Sequence, residues 1–88
     1  MSFTFQKTEI EGLLVIEPHM AADNRGLYTK YFEKNIFLEN GITCDFTESS
    51  DIRSHKGVIR GLHYQTENSQ AKLLHLVKGS IYDVAVDL

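Results

Sequence analysis

The feature that most constrains the fold is a pair of apolar runs, AKLLHLV at residues 71–77 and SIYDVAVDL at residues 80–88, joined only by Lys78 and Gly79. Two such runs across a tight glycine-containing connection predict a β-hairpin. Successive side chains of a strand point to opposite faces, so Tyr82, Val84, Val86 and Leu88 are expected on one face. Ile81, Asp83, Ala85 and Asp87 are expected on the other. The run reaches Leu88 without a turn or a polar tail, which predicts a chain cut in mid-sheet.

Earlier segments repeat the strand signal. GLLVIEP at residues 12–18 is an apolar run stopped by Pro18, the sole proline. Residues 22–26, ADNRG, read as a turn, and LYTKYF at residues 27–32 as a second strand rich in aromatic and β-branched types. Residues 33–40 are the only helical stretch, with Ile36 and Phe37 facing inward and Gly41 as the C-terminal cap. Residues 43–54 predict a strand leading into a loop, residues 57–65 a strand interrupted by Gly61, and residues 66–70 a turn.

No βαβ alternation is present. Short strands at turn-spaced intervals therefore predict an all-β antiparallel sandwich or barrel of the jelly-roll kind. An 88-residue chain is one small domain or part of one. Nine basic against twelve acidic residues, with no basic run, argue against a nucleic acid partner. No apolar stretch approaches the roughly 18 residues of a membrane span, and no leader pattern opens the sequence, so a cytoplasmic protein is expected. Cys44 stands alone and offers neither a disulfide nor a thiolate metal site.

Among chemistry-bearing residues, His63 has the side chain best suited to take a proton near neutral pH. Its competing reading is a strand histidine with a satisfied hydrogen bond. Arg60 lies three positions earlier and would face the opposite side of a regular strand; a bulge at Gly61 would bring both to one cavity. Lys72 shares a face with Leu74, whereas His75 reads as a packed or rim residue. Asp83 is either a solvent-facing charge or a carboxylate that points into a polar interior and meets Lys72 across the hairpin. His19, His55, His63 and His75 lack metal-ligand spacing, and phosphate-loop and nucleophile-elbow motifs are absent.

The segments GLLVIEP, DNRGLY, FTESS with Arg53 and Ser54, KGVIRGLHYQ, QAKLLHLVKG and YDVAVDL, in this order and spacing, resemble the N-terminal half of the dTDP-4-dehydrorhamnose 3,5-epimerases. The likeness covers nearly the whole sequence and implies that residues 1–88 are the N-terminal portion of one cupin-type jelly-roll epimerase domain. It further implies a homodimer acting, without metal or cofactor, on a dTDP-4-keto-6-deoxy sugar in dTDP-rhamnose and polysaccharide biosynthesis. Under this resemblance His63 is the proton acceptor and Arg60 and Lys72 contact substrate. Arg25 reaches the nucleotide from the neighbouring subunit, and Tyr28 replaces an aromatic that holds the base. Lys72 would stabilise the enolate oxygen, and Asp83 is a candidate orienting carboxylate.

Three ligand-contacting positions depart from the family pattern: Lys30 replaces glutamate, Glu48 glutamine and Ser50 asparagine. A shift in nucleotide or sugar specificity is expected from them. The family's general acid, a tyrosine, belongs to its C-terminal half, so the 88-residue chain by itself is expected to be inactive or nearly so. Two other readings accompany this one: a related 3-epimerase or 3,4-ketoisomerase, and a non-catalytic cupin that binds nucleotide sugar or dimerises through strand edges.

Overall fold

A computed structural model describes residues 2–88. They fall into two compact units, one formed by residues up to 43 together with 75–88, the other by residues 44–74.

Among the described residues, the first unit holds all the regular structure. Strand β1 (Thr4–Lys7) pairs antiparallel with β2 (Leu14–Glu17), with Phe5 opposite Ile16. Their connection is folded by Thr8, whose hydroxyl donates to the carbonyls of Ile10 and Leu13 and accepts from the Ile10 amide. A side chain that satisfies local backbone groups in this way substitutes for ladder bonds where the chain reverses. Strand β3 (His19–Asp23) starts directly after Pro18 and pairs antiparallel with β4 (Gly26–Lys30), Ala21 facing Tyr28 and Asp23 facing Gly26. The turn expected at residues 22–26 is therefore present, tightened to Asn24 and Arg25.

Helix α1 (Lys34–Glu39) matches the expected helical stretch. Six residues without a side-chain N-cap are too short to hold a helix by propensity, so its order comes from its C-terminus and its packing. At the C-terminus Gly41 donates to the Leu38 carbonyl and Ile42 to that of Phe37, the paired bonds of a Schellman motif. The motif needs a left-handed residue, and Gly41 supplies it at φ +84°.

Packing is concentrated on one ring. Phe37 is 1% exposed, the one large side chain fully buried among the described residues. Phe3, Phe5 and Phe32 meet it edge-on, with ring centroids 5.7, 5.2 and 4.8 Å away. Phe3 and Phe5 come from the β1 region, which the sequence pattern did not mark as a strand.

Residues 43–88 differ from expectation. The strands expected at 43–54, 57–65, 71–77 and 80–88 do not form, and the 71–88 hairpin has no ladder, although the chain bends at Lys78 and Gly79. Most apolar side chains there are exposed: Ile59 is 91%, Tyr82 93% and Leu88 89% exposed. Ordering each backbone residue costs about 1–2 kcal/mol, and a period-two face recovers that only when a second layer covers it. None of these segments has such a layer, so the alternation is present without the strand. The all-β class holds for the formed sheets, with one short helix beside them.

Candidate functional site

The expected site residues divide between the two units. In the first, Arg25 sits in the β3–β4 turn and Tyr28 on β4. They line one open groove together with Ala21, Ala22, Asp23, Gly26 and Leu27. The Tyr28 ring is largely solvent-exposed, as a platform for a planar ligand must be.

Asp23 fixes this end of the hairpin. Its Oδ1 accepts the Arg25 amide at 2.8 Å, an Asx turn, and its Oδ2 accepts both Nε at 3.1 Å and Nη2 at 2.6 Å. The Arg25 side-chain hydrogen bond lowers the Asp23 carboxyl below its ordinary value of 3.8, reinforced by the bonds from the backbone of Arg25 and Gly26. The same contact raises the Arg25 guanidinium above its ordinary value.

Because the folded-state value lies below the unfolded one, the carboxylate's contribution is present above the unfolded pKa of about 4 and is lost as pH falls through the folded value. Acid titration followed by the Arg25 amide resonance is expected to show one transition with a midpoint below 3.8. A midpoint at or above that value would place the carboxylate outside the turn.

Lys30, also expected to touch substrate, is bound to Glu33 at 3.1 Å. Its charge is therefore partly answered within the chain. His75 stacks on Tyr31, with ring centroids 4.3 Å apart and planes 12° from parallel, while remaining exposed, which agrees with a rim residue. Asp83 is exposed and has no hydrogen bond or ion pair among the described residues. The ladder that would have carried it to Lys72 is not formed.

In the second unit, Glu48, Ser50, Arg60, His63 and Lys72 are all exposed. Arg60 donates from Nε to the Ser54 hydroxyl at 3.0 Å. No ladder passes Gly61, so the bulge expected to bring Arg60 and His63 to one face has no strand in which to form. Gly61 instead has φ +99°, and a Cβ added there would lie 3.3 Å from His63 Nδ1. The His63 imidazole is exposed, and the apolar residues on either side of it, Leu62 and Tyr64, are themselves 76% and 72% exposed. Among the described residues no three His, Cys, Asp or Glu side chains cluster as metal ligands, and no helix is long and apolar enough to cross a membrane.

Two contributors escaped the sequence reading. Asp23 was legible in principle, since an aspartate two residues before the amide it caps is the Asx-turn pattern. Ser54 as the partner of Arg60, six residues away, carried no local signal.

Residues 7–88 match the family described as dTDP-4-dehydrorhamnose 3,5-epimerase. A protein of that name from Methanothermobacter thermautotrophicus is 44% identical over 86 residues, covering 98% of this chain and 46% of the relative. One from Shigella flexneri is 43% identical over 84 residues, covering 93% and 46%. One from Neisseria gonorrhoeae is 41% identical over 81 residues, covering 92% and 25%. The chain thus spans less than half the length of these relatives. No solved structure matches it.

Proposed function

Since the chain belongs to the dTDP-4-dehydrorhamnose 3,5-epimerase family, we propose that it carries the base-bearing part of an enzyme that converts dTDP-4-dehydro-6-deoxy-D-glucose to dTDP-4-dehydro-L-rhamnose. The observation that carries this reading is the match running from residue 7 to 88, which takes in RGLHYQ and QAKL without interruption. His63 removes the protons at C3 and C5. Both are acidified by the ketone at C4, and Lys72 stabilises the enolate oxygen that forms as each leaves. Arg60 and Arg25 hold the diphosphate, as guanidinium groups grip phosphate oxygens in a fork, and Tyr28 stacks on the base.

Epimerisation also needs an acid on the opposite face of the sugar. This part of the family's machinery corresponds to the stretch of the relatives that the chain does not span. With that stretch, residues 43–88 complete a cupin-type jelly roll whose further strands cover the apolar faces now in solvent, and His63 becomes enclosed. The assembly is a cytoplasmic homodimer in which Arg25 reaches the neighbouring subunit's nucleotide, and it needs no cofactor. Lys30, Glu48 and Ser50 adjust which nucleotide sugar is preferred.

The test uses this chain fused to the matching remainder of the Methanothermobacter relative, with dTDP-4-dehydro-6-deoxy-D-glucose in D₂O. The chimera is expected to incorporate deuterium at both C3 and C5, and the unfused chain to stay at the background rate. Incorporation at C3 alone would assign a 3-epimerase instead. A chimera that binds dTDP and exchanges neither position would leave a non-catalytic binding protein. Within the chimera, Lys72→Met is expected to slow exchange about 10²–10³-fold, as for loss of one oxyanion-stabilising group, with dTDP affinity retained.

A further inference from the structure

The β3–β4 turn carries a carboxylate that the reaction above does not use. Asp23 is half-exposed and its partner Arg25 is 87% exposed, and a surface pair this open adds little to fold stability. Its geometry is nonetheless tightly specified. One carboxylate oxygen holds the backbone of Arg25 and the other holds Nε and Nη2 of the same residue, so main chain and side chain are oriented by one group. These bonds leave the Nη1 side of the guanidinium uncommitted.

The pairing register sets where that free side lies. Asp23 faces Gly26 and Ala21 faces Tyr28, so by the strand's period of two Asp23 and Tyr28 share a face of the hairpin. They are two residues apart along the ladder, about 7 Å. An aromatic platform and an oriented cation stand side by side in one groove. A nucleoside diphosphate has its planar base and its charged phosphates in the same succession.

We infer that Asp23 is a positioning residue that pre-orients Arg25 toward the diphosphate of a nucleotide whose base lies on Tyr28. This rests on the proposed function for the ligand class and adds a role to a residue outside its machinery. A free arginine side chain must surrender much rotamer freedom to grip a phosphate; one already held by Asp23 surrenders less. The carboxylate would also repel phosphate, so orientation has to outweigh repulsion. That balance makes the sign of the effect measurable.

The experiment titrates the 88-residue chain with dTDP and, as a phosphate-free control, thymidine, following the Tyr28 and Arg25 side-chain resonances by NMR. Asp23→Asn keeps an acceptor for the Arg25 amide, preserving the turn, and removes the charge. It is expected to weaken dTDP binding about fivefold and to leave thymidine unchanged. Arg25→Lys is expected to lose at least as much, and the double variant no more than Arg25→Lys alone, because Asp23 acts through Arg25. Asp23→Glu, which restores the carboxylate, is expected to recover part of the loss. If Asp23→Asn binds dTDP as well as or better than the parent while dTDP is still preferred to thymidine, Asp23 competes with phosphate and its positioning role is overturned. If the parent itself does not prefer dTDP, the nucleotide reading of this groove fails, and the inference falls with it.

Discussion

Phe37→Ala is expected to abolish the cooperative unfolding transition of this chain. Truncating a buried phenylalanine costs about 3–5 kcal/mol, through lost burial and the cavity left behind. At roughly 0.05–0.15 kcal/mol per residue, a chain of 88 residues has at best a few times that in reserve. This one sits at the low end, since Phe37 is the only large side chain fully buried among the described residues. Phe3, Phe5 and Phe32 all pack against that ring, so its removal detaches β1, the β4–α1 connection and the helix from one another.

Two further variants separate the causes. Phe37→Leu keeps most of the apolar volume but loses three edge-to-face contacts, each worth about 0.5–1.5 kcal/mol, and is expected to fold with a lowered midpoint. Leu38→Ala, next along the helix and 42% exposed, is expected to cost less than about 1 kcal/mol. Urea titrations followed by circular dichroism read all three. A Phe37→Ala variant that unfolds with the parent's midpoint and slope would show that the aromatic cluster does not hold the first unit together.

The parts of the fold legible in the sequence are those whose cause is local. The β3–β4 turn follows from ADNRG because Asp23 caps the amide two residues on. The end of α1 follows from Gly41, and its buried side from Phe37, both visible in an eight-residue stretch. Residues 57–88 fail for the opposite reason. Period-two alternation in SIYDVAVDL states which side chains share a face but not which strand will lie beside them. Where no covering layer is present, Tyr82 and Leu88 remain in water and the ladder does not form. Strand β1 went unseen because Phe3 and Phe5 alternate over too few residues to register as a pattern, and only their contact with Phe37 gives them meaning.

The candidate site divides along the same line. Arg25 and Tyr28 are three residues apart on one hairpin, and the structure places them in one groove. His63 and Lys72 are nine residues apart on segments expected to be neighbouring strands, and their meeting depends on non-local pairing. The resemblance named them as partners in one reaction, whereas the chain by itself leaves both in solvent.

His63 is the residue on which the functional account turns. Proton removal next to a ketone needs a base whose pKa lies near the working pH, and general-base catalysis contributes about 10²–10⁴-fold. No other imidazole in the chain lies in a segment matching the family's RGLHYQ pattern. His75 is engaged with Tyr31, and His19 accepts a hydrogen bond from the Ser2 amide at 3.4 Å. Loss of His63 should therefore remove exchange at both carbons together, since one base serves both, while the groove of Arg25 and Tyr28 still binds dTDP.

The most direct measurement is the rate of deuterium incorporation into dTDP-4-dehydro-6-deoxy-D-glucose by the chimera with His63 and by the same chimera carrying His63→Ala, read carbon by carbon by NMR. The expected result is a fall of about 10²–10⁴-fold at C3 and at C5 alike, with dTDP affinity unchanged. Exchange that persists at either carbon in the alanine variant would contradict the assignment of His63 as the base.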